Sequence, residues 1–390
     1  MKVNLKYFSA VLIVGLVFIS IGNSFAQKIF SEEWKKKKKE TKERKIKEGR
    51  WMIMPLAGPA YTPELQFTVA GGVMTSFRTD KKDTTLQRSS MPVMLGVSST
   101  GALFFGTKVT SFWKSDKLRI YGDFNFKDMP DNYWGVGYDA GRYTEKSDST
   151  TAYDRLWWQI YPRFLWQFKT HYFAGLTIDY NYTQGTDPSM GVVEDPYFNE
   201  YNEKPLNSGL GLIFQYDSRD IPVNAWSGLF LEAMMTIYRT GLGGDNDYEI
   251  YGLDIRKYWG VGSKRGRTVA VQGRGRFGRG HVPYGEMSQL GTPFDLRGYT
   301  WGQYRNNTMI YTIGEYRHTC YKNSGEISKH GVVGWLGAGT IGSDVQNFEK
   351  YLPNVGVGYR LEVQPRMNLR LDIGFGTETY GFYFNFNEAF

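Results

Sequence analysis

Cysteine is almost missing from this chain: Cys320 is the only one in 390 residues. A single thiol forms no intrachain disulfide and builds no cysteine-ligated metal site. Histidine is nearly as scarce, and His171, His281, His318 and His330 fall at no ligand or catalytic spacing. No Gly-x-Ser-x-Gly stretch occurs, so the residues suggest no hydrolase, metal or cofactor chemistry. Long apolar runs are also lacking. After residue 26 nothing approaches the ~20 apolar residues that a membrane-crossing helix needs.

What is abundant is aromatic residues and glycine: 28 Tyr, 25 Phe, 11 Trp and 46 Gly. The first 26 residues read as a secretory leader. Lys2 and Lys6 precede the apolar stretch from Phe8 to Ile21, and Ser24-Phe25-Ala26 closes it in small-x-small form. No cysteine follows it, which argues against a lipid-anchored protein. Charge is concentrated just after this leader. Residues 28–50 hold 11 of the 47 lysines and arginines and 5 of the 39 acidic residues; the leader holds two lysines, so 51–390 carries 34 of each sign. The high pI thus belongs to a basic arm, residues 27–50, and not to the main domain. In a secreted chain the run Lys35 to Lys39 implies no nucleic acid; it reads as a solvated arm or one that touches anionic lipid or a partner protein.

From residue 51 onward the pattern has period two. Val355, Val357, Tyr359, Leu361 and Val363 alternate with Gly356, Gly358, Arg360 and Glu362; Leu369, Leu371, Ile373 and Phe375 alternate with Arg370, Asp372 and Gly374. Sixteen such segments can be marked, the first at 51–61 and the last at 380–387. Segments of about ten residues, apolar on one face and charged on the other, suit a transmembrane barrel with lipid outside and a polar lumen. The fold predicted is all-β: a sixteen-stranded antiparallel transmembrane β-barrel over 51–390 behind the short basic arm. An even count keeps both termini on one side, the periplasmic one. The stretches 128–152, 184–206 and 279–307 are the long loops of the other side, while Lys169-Thr170, 218–226 and Pro365-Arg366 are short turns. The 79–87 connection is long for a turn. Trp157, Trp158, Trp166, Trp226, Trp259 and Trp335 are expected in interfacial girdles.

Two motifs stand out. The stretch Tyr216-Asp217-Ser218-Arg219-Asp220-Ile221-Pro222, followed by Gly228, can clip a turn through carboxylate–N–H bonds and an ion pair to Arg219. Leu296-Arg297-Gly298-Tyr299 lies in the long polar loop before the twelfth segment. An arginine carried into a lumen needs a carboxylate, because an unpaired buried charge costs several kcal/mol. Gly298 allows a close backbone approach and Tyr299 can pack beside it. The chain ends with Phe384, Phe386 and Phe390 on or after its last segment.

In these stretches the chain resembles the BamA/TamA-like outer-membrane superfamily, also called the bacterial surface antigen family. The Tyr-Asp-x-Arg-Asp-x-Pro turn, the Arg-Gly-aromatic loop and the C-terminal strands ending in Phe390 carry the likeness, over roughly 207–390. The resemblance implies a barrel that inserts or translocates other proteins, with Phe384, Phe386 and Phe390 as a C-terminal barrel signal. It also implies that Arg297 meets acidic residues on the twelfth and thirteenth strands. Glu315 is the first candidate. The thirteenth-strand Asp of the family is replaced here, since the stretch reads Trp335-Leu336-Gly337-Ala338-Gly339; Asp372 or Glu362 could assist instead. The chain looks like a barrel-only member without periplasmic receiver domains. Expected partners are outer-membrane lipid and lipopolysaccharide, with other outer-membrane assembly or secretion proteins. A passive pore or structural scaffold is the alternative to client handling, and an enzyme is not expected.

Overall fold

The computed structural model describes residues 32–62 and 66–390; the leader lies outside the described residues. The described part of the basic arm holds the helix Glu32–Lys47. Among the described residues nineteen strands follow: β1 (Met52–Thr62), β2 (Gln66–Phe77), β3 (Ser89–Ser90), β4 (Val93–Ser98), β5 (Leu103–Trp113), β6 (Leu118–Asn132), β7 (Ala152–Lys169), β8 (Tyr172–Thr186), β9 (Leu206–Asp217), β10 (Gly228–Tyr238), β11 (Tyr248–Gly260), β12 (Arg267–Gly280), β13 (Ser288–Leu290), β14 (Tyr304–Asn306), β15 (Thr308–Tyr321), β16 (Ile327–Gly342), β17 (Leu352–Gln364), β18 (Met367–Phe375) and β19 (Tyr380–Phe386). Seventeen belong to one antiparallel sheet, and β13 with β14 forms a separate hairpin inside the loop between β12 and β15.

Alternation explains the polarity of the wall, apolar outside and charged inside. On β17, Val355 and Val357 are exposed while Arg360 is 4% exposed; on β18, Ile373 and Phe375 are exposed while Arg370 and Asp372 are fully buried. Leu210, Leu212 and Phe214 on β9 point outward, and Gln215 and Asp217 inward. Apolar residues outside and charged residues inside suit a sheet whose outer face meets lipid. The registers run from β1 with β2 through to β18 with β19. β1 and β19 lie side by side, yet among the described residues no ladder joins them.

Both termini of the sheet lie at one end, here the terminal end. Its connections include the two-residue turns Thr170-His171 and Pro365-Arg366, where His171 and Arg366 take the positive φ values of 70° and 61° that such tight hairpins require. The first turn falls one residue later than the sequence pattern placed it. The long 78–88 connection is ordered by Asp83, whose carboxylate accepts from the Thr85 and Leu86 N–H groups at 3.0 Å each. The arm helix rests here, with Lys42 Nζ donating to the Val363 carbonyl at 3.0 Å. The three longest loops gather at the far end. Phe198 and Tyr284 stand 4.6 Å apart there, and Tyr133 packs on both.

The tryptophan girdle holds only in part. Trp166 and Trp259 are exposed on outward positions. Trp335 is inward and buried, and Trp157 takes the inward phase of β7 beside Lys127. Trp226 lies under a guanidinium at the terminal end. These three are placed by arginine or lysine partners and not by an interface.

Candidate functional site

The β12–β15 loop folds back into the lumen and is set locally before it reaches the wall. Asp295 accepts N–H bonds from Gly291 and Thr292, both at 2.8 Å. This cap aims Leu296 and Arg297 inward, and burial pushes the Asp295 carboxyl up. Arg297 is completely buried. Its Nη2 donates to Glu315 Oε1 of β15 at 2.5 Å and its Nη1 to Asp372 Oδ2 of β18 at 2.7 Å. The guanidinium lies 3.6 Å from the centre of the Trp335 ring.

Gly298 then brings the backbone against β18. Its φ is 120°, and a Cβ there would sit 2.7 Å from the backbone of Phe375 and Gly376. The Gly298 N–H donates to Tyr383 Oη at 2.9 Å. Gly374 makes room on the wall, since a Cβ at that position would meet the Arg297 carbonyl at 2.2 Å. Asn354 ties the layers together: it donates to the Arg297 carbonyl and accepts from Trp335 Nε1 at 2.8 Å. Tyr299 Oη donates to the Pro353 carbonyl at 2.7 Å.

A charge network continues from these contacts towards the terminal end. Arg317 Nε donates to Glu315 Oε2 at 2.9 Å, and Arg360 bridges Asp372 Oδ1 at 2.6 Å and Glu388 Oε2 at 2.8 Å. Arg370 donates to the Pro293 carbonyl at 2.8 Å, so the wall also holds the start of the loop. The residues after β19 turn into the lumen. Phe390 is buried with its ring 5.0 Å from the Arg317 guanidinium, and its carbonyl accepts from Arg317 Nη2 at 3.0 Å. Burial raises the Glu388 carboxyl, but Arg360 and Arg317 outweigh this and hold it below its ordinary range.

The turn motif forms a second cluster. Asp217 accepts from Arg219 Nε at 2.8 Å and from Arg119 Nη1 of β6 at 2.7 Å. Asp220 accepts from the Trp226 N–H at 2.9 Å, and its other oxygen from Arg366 Nη2 at 2.9 Å. The Pro222 carbonyl accepts from Arg219 Nη1 at 3.3 Å. Gly228 has φ 113°, where a Cβ would meet the Ser218 carbonyl at 2.4 Å. Since β11, β12, β15 and β16 separate β10 from β17, the Asp220–Arg366 contact crosses the opening at the terminal end.

The structure thus brings Arg297, Gly298, Tyr299 and Glu315 together, and Asp217, Arg219, Asp220, Pro222 and Gly228 separately. It chooses Asp372 over Glu362, whose carboxylate instead accepts from the Arg366 N–H at 3.1 Å. Gly337 stands where the resemblance implied a thirteenth-strand Asp, and nearby Trp335 takes the guanidinium on its face. Phe384 is exposed on the outer wall and Phe390 is inside, so the C-terminal phenylalanines do not share one surface. Residues outside the expected set include Trp335, Asn354, Arg360, Arg317, Tyr383 and Glu388. The arginines were detectable as charges on the inward phase of β15 and β17; Glu388, beyond the last strand, left no periodic signal.

An antiparallel wall with a polar lumen and an inward loop pinned by arginine defines a large outer-membrane-type β-barrel. The chain has the fold of BamA/TamA-like barrels. It is similar to BamA from Haemophilus ducreyi lacking POTRA domains 1–3, with a TM-score of 0.54 and 12% identity over 86% of this chain and 70% of that one. It is also similar to CdiB from Acinetobacter baumannii, with a TM-score of 0.55 and 12% identity over 87% of this chain; the chain spans 59% of the length of that protein. No protein-family model and no curated protein sequence matches it.

Proposed function

We propose that this chain is an outer-membrane barrel acting in, or beside, the insertion or secretion of other proteins. In this reading the wall has sixteen ladder positions, because Ser89–Ser90 and Val93–Ser98 both pair with β2 and serve as one interrupted strand. Both termini are periplasmic, the long loops face outward, and the apolar belt meets lipid and lipopolysaccharide. Other assembly or secretion proteins are its partners, and it carries no catalytic centre or cofactor.

The seam between β1 and β19 carries the proposal. β1 contains Pro55 and Pro59, which share one phase and lack N–H groups. β1 pairs with β2 throughout its length. Proline is tolerated in a paired strand where its nitrogen faces away from the partner. Both missing donors therefore face β19, which leaves that edge short of ladder bonds. A weak seam in a wall whose lumen is braced by Arg297 gives an entering strand an edge to pair with. The likeness to BamA and CdiB supports the same direction.

A photo-cross-linker placed at Ile53 or Phe382, on the outer faces of β1 and β19, in cells making a stalled outer-membrane client, tests this. Client adducts at the seam, lost when an engineered disulfide joins β1 to β19, are expected. Steady ion conductance in planar bilayers with no adduct would establish the passive pore instead, and neither signal would establish a scaffold.

A further inference from the structure

We infer that the arm helix is a strap across the β1–β19 seam, holding the two edge strands together at the terminal end. The helix enters β1 through a fixed joint. Gly49 takes φ 65°, its N–H donates to the Ile46 carbonyl at 3.2 Å, and the Arg50 N–H donates to the Lys45 carbonyl at 2.9 Å. This pair of bonds around a left-handed glycine is a Schellman cap, which sets the angle between a helix and the chain that follows. The β2 side grips the same joint. The Arg78 N–H donates to the Gly49 carbonyl at 3.1 Å, and Arg88 Nη2 bridges the Arg50 and Ser76 carbonyls at 2.8 and 2.7 Å. The helix therefore moves with β1 and β2.

Its other attachment lies beyond the seam. Lys42 Nζ donates to the Val363 carbonyl of β17 at 3.0 Å, and β19 and β18 stand between β1 and β17. Three strand spacings are about 14 Å. From Gly49 back to Lys42 the helix axis covers about 10 Å, and the lysine side chain spans the rest. The helix thus runs along the rim past the ends of β19 and β18. The wall offers an acceptor at this point. Val363 stands in a β-bulge between the Glu362–Asn368 and Gln364–Met367 pairs, and the β16–β17 ladder ends at Leu361. A bulged residue is left out of the ladder, so the Val363 carbonyl is open to a donor from outside the sheet.

Separation of β1 from β19 carries the helix, fixed to β1 and β2, away from β17. The Lys42 bond must break as the seam opens, so it opposes opening. Among the described residues no ladder joins the two edges, which leaves this bond to act across the gap. One hydrogen bond from a charged donor shifts a closed-to-open ratio by about tenfold and still allows release. The inference rests on the seam described above and not on client handling.

The test reads the temperature at which the folded gel band of the full-length protein is lost, in a Cys320→Ser background, with an engineered β1–β19 disulfide either reduced or formed. With the disulfide reduced, Lys42→Gln should lower that temperature by about 2 °C or more, as expected for loss of one charge-assisted hydrogen bond. With the disulfide formed, the same substitution should produce less than half of that shift, because the seam is then closed without the strap. Lys42→Arg keeps a cation on the rim and should match wild type. Lys45→Gln removes an exposed lysine from the same helix and should leave the temperature unchanged. No shift on Lys42→Gln overturns the strap, and so does an equal shift on Lys45→Gln. A shift equally large with the disulfide formed also overturns it, since the arm would then stabilise the barrel without acting on the seam. No client is used, so an overturned strap leaves the client reading standing.

Discussion

Arg297 donates to two carboxylates on strands that are not neighbours, and this sets what can replace it. Arg297→Ala leaves Glu315 and Asp372 facing each other's field without their shared cation. Removing one partner of a buried pair typically destabilises by about 3–5 kcal/mol, so the folded gel band should be lost at a clearly lower temperature. Arg297→Lys should not restore it, because a single ammonium cannot serve two carboxylates held 2.5 and 2.7 Å from separate nitrogens. Exchanging the charges, Arg297→Glu with Glu315→Arg, should also fail: the new carboxylate would oppose Asp372. Recovery of wild-type heat resistance in that exchange would mean that Asp372 is not a partner. Gly298→Ala tests backbone approach alone and should loosen the loop while leaving every charge in place.

At the scale of elements, the inward loop has a second attachment that depends on pH. Glu286 lies in this loop, and burial followed by the nearby Asp179 of β8 pushes its carboxyl up to about 8. Arg276 of β12 and Arg155 of β7 act in the other direction, and Tyr238 and Tyr248 line the same space. A carboxyl raised on folding binds its proton more tightly in the folded state, so its contribution weakens as pH rises from the ordinary glutamate range through about 8. Protease cleavage within 281–307 should therefore accelerate between pH 6 and 9, and Glu286→Gln should remove that dependence. The β9–β10 turn offers a different measurement. Asp220 and Arg366 are partly exposed, so their coupling in a double-mutant cycle should be about 1 kcal/mol or less.

Much of the element pattern could be read from the residues. The strands follow strict alternation because each is apolar on its outer face and meets water or charge on its inner one, which leaves period two in the sequence. The glycines of the loop and turn were legible for the same reason: Gly298 and Gly228 take φ values that only glycine holds easily. The partners were harder. Glu315 stood in the expected strand, but Asp372 is 75 residues from Arg297 and shares only its inward phase with other charges. Trp335 read as an interfacial tryptophan because alternation alone does not say which face of β16 looks inward where small residues flank it.

For the whole molecule, the seam and the lumen contacts oppose one another. Pro55→Val with Pro59→Val restores two N–H donors on the free edge of β1. It should raise the temperature of gel-band loss and, if the seam is where clients enter, reduce client adducts. The terminal end is held by parts of the chain far apart in sequence: the arm helix on β17, the β9–β10 turn on Arg366, and Glu388 on Arg360.

The inward course of Glu388 and Phe390 has a consequence for truncated chains. Arg360 and Arg317 lack part of their counter-charge and packing until Glu388 and Phe390 are in place. A chain cut before Glu388 keeps its strands but leaves arginines uncompensated in the lumen, and its folded gel band should be lost at a lower temperature.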